Sequence, residues 1–134
     1  MGAWGTGNFE NDTALDWVYE LEQTSDLSLV ERAIADVVHE DDYLDADLGC
    51  IGLAAAEVLA ALRGKPARDL PEEVAAWLGA HQLTPDQKLV KEALVAVDKI
   101  RNDAQSELKE LWEEESELLL EWHAVLDDLS LRLS

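Results

Sequence analysis

Residues 47–62 contain Ile51, Leu53, Ala54, Ala55, Ala56, Val58, Leu59, Ala60, Ala61 and Leu62, and they leave no wide polar face. Alanine and leucine are strong helix formers. A helix that is apolar nearly all round has to be enclosed by other elements, so this stretch is expected at the centre of the fold. Its small side chains let neighbours come close. Gly52 costs about 1 kcal/mol relative to alanine inside a helix, which marks a close contact, with the N-terminal arm around Trp4 as the candidate neighbour. Glu57 is the odd residue, a lone carboxylate among apolar ones. Buried, it has to be paired, hydrogen-bonded or protonated. One reading makes it a general base or ligand in a cleft. The simpler reading makes it an anchor that accepts hydrogen bonds from the Trp4 indole, the N-terminal amine or backbone amides of the arm, since most buried polar groups serve structure. Cys50 falls in the first turn, where a thiolate can be stabilised. With no histidine or second cysteine nearby in the sequence, a plain buried cysteine is the expectation.

Helical spacing accounts for the rest of the chain. Asn11 or Asp12 suits an N-cap, and Ala14, Val18 and Leu21, with Trp17 alongside, give Asp12–Leu21 an apolar face. Ser28-x-x-Glu31 reads as a capping box that opens a second helix, with Val30, Ala33, Ile34, Val37 and Val38 on one side. Gly64 and Lys65-Pro66 end the central helix. Pro71 stands at the first position of a short fourth helix with Val74, Trp77 and Leu78 inside, and Thr84-Pro85-Asp86-Gln87 reads as a second capping box. The fifth helix, residues 85–101, carries Lys88, Lys91, Lys99 and Arg101, which are expected to pair with acidic segments. Asn102 or Ser106 starts the last helical region. There Leu108, Leu111, Trp112, Leu118, Leu119, Trp122, Val125, Leu126, Leu129 and Leu133 form one stripe with a period of about 3.5 residues. Glu115 interrupts that stripe, so a kink or break is expected near 115. Alternation at period two is missing. The expectation is an all-α single domain over residues 1–134 with five to seven helices, a glycine-rich arm at 1–10 ordered against it, and an acidic C-terminal region at 106–133.

The arm reads Gly2-Ala3-Trp4-Gly5-Thr6-Gly7, then Phe9-Glu10-Asn11-Asp12, then Ala14-Leu15-Asp16-Trp17. Three glycines in seven residues oppose a helix, while Trp4 and Phe9 gain by burial. Trp4, Phe9, Trp17 and Glu57 are therefore the expected structural anchors. These residues resemble the opening of the bacterial domain-of-unknown-function family 4259. Weaker matches follow at Ala54-Ala55-Ala56-Glu57, Leu62-Arg63-Gly64-Lys65-Pro66, Leu70-Pro71 with Trp77, Ser106-Glu107-Leu108 and Leu111-Trp112-Glu113-Glu114. The resemblance implies a small bacterial protein of helical character and carries no established activity or catalytic residues.

Ten Lys and Arg against thirty Asp and Glu give a formal charge of −20. That surface repels phosphate backbones and anionic lipid, and favours a basic protein. No apolar run is long enough to cross a membrane and no secretory signal is present, so a cytoplasmic protein is expected. The single Cys50 agrees with a reducing compartment. Within 107–128 the outer positions Glu107, Glu110, Glu113, Glu114, Glu117, Glu121, Asp127 and Asp128 face only Lys109. This ridge can dock a basic partner or imitate phosphate spacing; a solvated charged face is the plainer reading. The leading expectation is a non-enzymatic interaction module, immunity-type or DNA-mimic-like, using Glu107, Glu110, Glu113, Glu114, Glu117 and Glu121.

Metal chemistry is the rival. Asp12 and Asp16 share a helix face, and the run His39-Glu40-Asp41-Asp42 with Asp45 and Asp47 offers six donors in nine residues, though not with calcium-loop spacing. The plainer reading makes these a helix-start carboxylate and a charged loop in which Asp45 or Asp47 caps the next helix. His39, His81 and His123 lack Glu-x-x-His spacing, and no His-Glu-x-x-His, Cys-x-x-Cys, Gly-x-Ser-x-Gly or P-loop occurs. No cofactor is expected. Homo-oligomerisation through the last helix is a third reading.

Overall fold

In the computed structural model, which describes residues 5–134, seven α-helices are joined by short loops. They are α1 (Asp12–Leu21), α2 (Ser28–Val38), α3 (Ala46–Leu62), α4 (Glu72–Ala80), α5 (Gln87–Asn102), α6 (Glu107–Glu114) and α7 (Ser116–Leu133). Among the described residues there is no strand. One isolated parallel bridge joins Leu44 to Ser106, with Leu44 N–H donating to Gln105 O and Glu107 N–H to Leu44 O, each at 2.9 Å.

α3 touches every other helix. Leu53, Ala54, Ala55, Ala56, Val58, Leu59 and Ala60 are all buried on it, each large apolar side chain gaining roughly 1.5–3 kcal/mol. The glycines of α3 mark its closest neighbours. A Cβ on Gly52 would stand 2.7 Å from Val37 Cγ2 and 3.3 Å from Ile100 Cδ1, and one on Gly49 would stand 2.7 Å from Leu108 Cδ1. Among the described residues the neighbours of Gly52 are thus α2 and α5. Trp4 lies outside the described residues, and nothing is assigned to it. Phe9 and Trp17 are buried in the core.

Three helix starts differ from the sequence expectation. α2 has Leu27 at its N-cap with no side-chain cap bond. Ser28 instead donates through both N–H (3.0 Å) and Oγ (2.6 Å) to Asp26 Oδ1. The turn before the helix takes the serine, so the Ser28–Glu31 box does not form. Pro71 is the N-cap of α4, its extended ψ of 146° setting it just outside the helix. At α5, Asp86 rather than Thr84 is the N-cap, accepting from Leu89 N–H at 2.7 Å. Asp86 adjoins the first helical residue and its carboxylate reaches the free amide, whereas Thr84 stands two positions further back. Asn11 caps α1, accepting from Ala14 N–H at 2.7 Å, and Asp45 caps α3, accepting from Leu48 N–H at 2.8 Å.

Cations finish two helices. Lys99 Nζ donates to Val37 O at 2.8 Å and also to Glu40 O, at the end of α2. Arg63 donates to Leu133 O at the end of α7. Positive side chains suit the negative end of a helix dipole. Of the four basic residues expected to seek carboxylates from α5, Arg101 does so, at 3.3 Å from Asp127 Oδ1. Lys99 goes to carbonyls instead.

α6 and α7 are separated at Glu115, whose φ of −103° and ψ of 65° lie outside helical geometry. Trp112 and Trp122 stack across this corner with ring centroids 6.3 Å apart. Beyond it, Trp122, Leu126, Leu129 and Leu133 bury at helical spacing. Leu118 is exposed, not part of the buried stripe. It sits in the first turn after the break, beside Leu119, which packs against the core in its place.

Candidate functional site

Two features stand out, a buried ion pair at the base of a cleft and an exposed acidic corner. The ion pair joins α3 to the last turn of α7. Glu57 is 2% exposed. Its Oε1 accepts from Arg132 NH1 at 2.7 Å and its Oε2 from Arg132 NH2 at 3.0 Å. Oε2 also accepts from Asn8 Nδ2 at 2.7 Å. Asn8 is buried, and its amide must point nitrogen-first, because its oxygen would otherwise face a carboxylate. The Asn8 Oδ1 is left without a partner among the described residues. Arg132 spends a further donor, Nε, on Asp128 Oδ2 at 2.8 Å, and NH1 also reaches Lys65 O at 3.2 Å. Hydrogen bonding to Glu57 foremost, opposed by burial and helped by its charge and by Asp128, raises the Arg132 pKa.

The arm is held by the same group. Thr6 Oγ1 donates to Glu121 Oε1 at 3.0 Å, and Gly7 N–H to Glu10 Oε1 at 3.0 Å. A Cβ on Gly7 would fall 2.5 Å from Glu10 Oε1 and 2.9 Å from Asp69 Oδ2, so both carboxylates would have to swing away to admit one. Around these contacts lies an open cleft of about 440 Å3 whose charged walls are Glu10, Glu57, Asp69, Glu121 and Asp128 against Arg68 and Arg132. Chemically, Glu57 is a poor general base. Three donors, two of them from a guanidinium, already occupy its two oxygens and hold it ionised as an anchor.

The metal candidates are dispersed. Asp12 and Asp16 are exposed on α1, His39 is the C-cap of α2, and Asp41 and Asp42 are exposed in the α2–α3 loop. At the end of that loop Asp45 is committed to capping α3, and Asp47, in the first turn of α3, accepts from Thr13 Oγ1 at 3.1 Å. Among the described residues no three His, Cys, Asp or Glu side chains converge as a metal site. Cys50 is buried, and desolvation first, then Asp47 and Asp45, pushes its pKa up to about 12, which keeps it a thiol.

The acidic ridge divides into two parts. Glu107 Oε1 accepts from Ala46 N–H at 2.7 Å, and Glu110 Oε2 accepts from Tyr43 Oη at 3.2 Å. These two tie α6 to the start of α3. Burial first, with Glu107 and Glu110 after it, raises the Tyr43 pKa. Past them, residues 113–118 are exposed without interruption, and they hold Glu113, Glu114, Glu115 and Glu117. Lys109 pairs with Glu113 at 3.1 Å. Leu120 on the next turn is 78% exposed.

The pattern of the family Domain of unknown function (DUF4259) matches residues 2–125. The chain belongs to that family. No curated protein and no solved structure matches it. Among the described residues no helix is long and apolar enough to cross a membrane.

Reading the sequence alone missed Arg132 and Asn8 as the donors to Glu57. Two signals were there to use. Arg132 is the one charged residue in a leucine-rich final turn, Leu129-Ser130-Leu131-Arg132-Leu133, and it answers the lone carboxylate of α3. Asn8 is a polar residue directly before the buried Phe9.

Proposed function

We propose that this DUF4259 protein is a non-enzymatic binding module that holds a basic protein partner at the α6–α7 corner. The observation that carries the reading is the unbroken exposure of residues 113–118, with four carboxylates and Leu118 among them and the exposed Leu120 following. Carboxylates steer a cationic partner and set its register. An exposed leucine among them supplies the apolar anchor that charge alone lacks. A basic amphipathic helix has the matching pattern. By occupying the surface with which a partner grips nucleic acid, the module would act as an immunity-type or DNA-mimic-like inhibitor. The remaining acidic face, including Glu121, adds long-range attraction. The family resemblance and the single reduced cysteine favour a bacterial cytoplasmic setting.

The test compares two baits in lysate of the source organism: the wild-type chain and a Glu114→Lys, Glu117→Lys, Leu120→Ser variant. A basic protein retained by the first, absent from the second and released by a salt gradient supports the reading. Equal retention by both baits, or release that ignores salt, sinks it.

A further inference from the structure

We propose that the outward face of α7 is a docking seam for a basic amphipathic helix, which lies along it from Leu120 to Leu131. The inference rests on the partner reading above and names the element of that partner that makes the contact. Leu120 is 78% exposed and Leu131 72%. Eleven residues separate them, which is three turns, so they share one side of the helix about 16 Å apart along its axis. Ala124 and Asp127, both exposed, stand on the line between them. The steps are four, three and four residues, the spacing of the contact seam in a two-helix coil. The buried line of Trp122, Leu126, Leu129 and Leu133 runs along the opposite side, so the seam adds nothing to the core.

Charge decides what can cover it. Glu121 and Asp128 each follow a seam position directly and flank the line on one side, where charges choose the partner of a coil. Each has one oxygen already held: Glu121 Oε1 accepts from Thr6 Oγ1 at 3.0 Å, and Asp128 Oδ2 from Arg132 Nε at 2.8 Å. Those bonds orient the carboxylates and leave the second oxygen of each open to a donor from outside. Arg132 is the one Lys or Arg of α7, and it is committed to Glu57 and Asp128. A second copy of this chain would therefore bring the seam no cation, and it would add a further formal charge of −20. A helix with leucines on one stripe and Lys or Arg beside them supplies both halves of the match: apolar anchors for Leu120 and Leu131, and donors for Glu121, Asp128 and Asp127.

The test is titration of the full chain, followed by two-dimensional NMR, with a helical leucine–lysine peptide of about four turns (roughly 15 residues at 3.6 per turn) whose leucines repeat at steps of three and four. One control has the same composition scrambled to break the stripe, and another has glutamate in place of lysine. The striped basic peptide is expected to give saturable amide shifts along residues 117–131, to bind at least tenfold more tightly than the scrambled one, and to weaken with salt. The glutamate peptide should not bind. Leu131 is exposed, so Leu131→Ser should keep the thermal midpoint, and it should weaken the striped peptide by about tenfold or more, as loss of a leucine anchor does. Equal binding of the scrambled peptide, indifference to Leu131→Ser, or a free chain that dimerises in sedimentation until Leu131→Ser is introduced would overturn the proposal. Shifts confined to residues 113–118 would overturn the seam and leave the corner in place. Lysate baits that differ in nothing would remove the corner reading without altering the peptide result.

Discussion

Glu57 and Arg132 stand 75 positions apart in sequence and meet through two parallel hydrogen bonds of 2.7 and 3.0 Å. This pair ties the central helix to the last turn of the chain, and Asn8 adds the arm to the same carboxylate. A buried charge left alone is costly, which makes the pair sensitive to loss of either partner.

Arg132→Met is therefore expected to destabilise the protein by about 3 kcal/mol, the low end of the range for breaking a buried pair, because the Arg132 side chain is 15% exposed. The double variant Glu57→Leu, Arg132→Met should recover most of that loss. Urea unfolding of both singles and the double gives the cycle. A cost for Arg132→Met below about 1 kcal/mol, typical of surface pairs, would mean that the cleft hydrates Glu57 well enough to hold it alone.

Gly52→Ala gains helix propensity of about 1 kcal/mol but puts a Cβ 2.7 Å from Val37 Cγ2. Overpacking of this kind costs about 1–3 kcal/mol, so a net loss of stability is expected. In a Val37→Ala background, which carries its own cavity cost, Gly52→Ala should instead raise stability relative to Val37→Ala alone, since the opposing methyl is gone. A loss from Gly52→Ala that is as large in that background as in the wild type would contradict the close packing of α2 on α3.

Cys50 makes stability fall in alkali. Its folded pKa is raised to about 12, whereas an unfolded thiol titrates near 8.5. The folded state therefore retains the proton that the unfolded state loses, and the contribution is intact below about pH 8.5 and lost as pH rises toward 12. Cys50→Ala should flatten this part of the stability profile. The native thiol should also resist a water-soluble disulfide reagent until denaturant is added; rapid reaction without denaturant would show that the side chain is open.

Ser106 is buried and serves two chains of contacts. Its Oγ donates to Ile100 O at 2.7 Å and accepts from Lys109 N–H at 3.4 Å, the start of α6. Ser106→Ala should cost about 1–2 kcal/mol through the lost cap and the lost buried bond. Ser106→Thr keeps the hydroxyl and should cost less. Equal thermal midpoints for Ser106→Ala and wild type would argue that neither bond matters.

Much of the helical layout was legible because its causes are local. Asp12–Leu21 could be read from Ala14, Val18 and Leu21 at helical spacing, and α3 from a run with no polar face. The starts were less legible. Ser28 and Asp26 compete for one turn, and Thr84 and Asp86 for one set of amides, a contest decided by backbone geometry that composition does not contain.

The candidate features divide along the same line. By itself the sequence determined the all-α class, the charge of −20, the apolar surroundings of Glu57 and the carboxylates of the α6–α7 region. Each follows from residue identity and from periodicity over a few turns. Tertiary structure alone decided that Glu57 meets Asn8 and Arg132, that Gly52 receives Val37, and that Glu107 and Glu110 find hydrogen-bond partners at Ala46 and Tyr43 while Glu114, Glu115 and Glu117 stay in solvent. These depend on crossings between helices distant in the chain, which α3 sets by letting six neighbours pack against its small side chains.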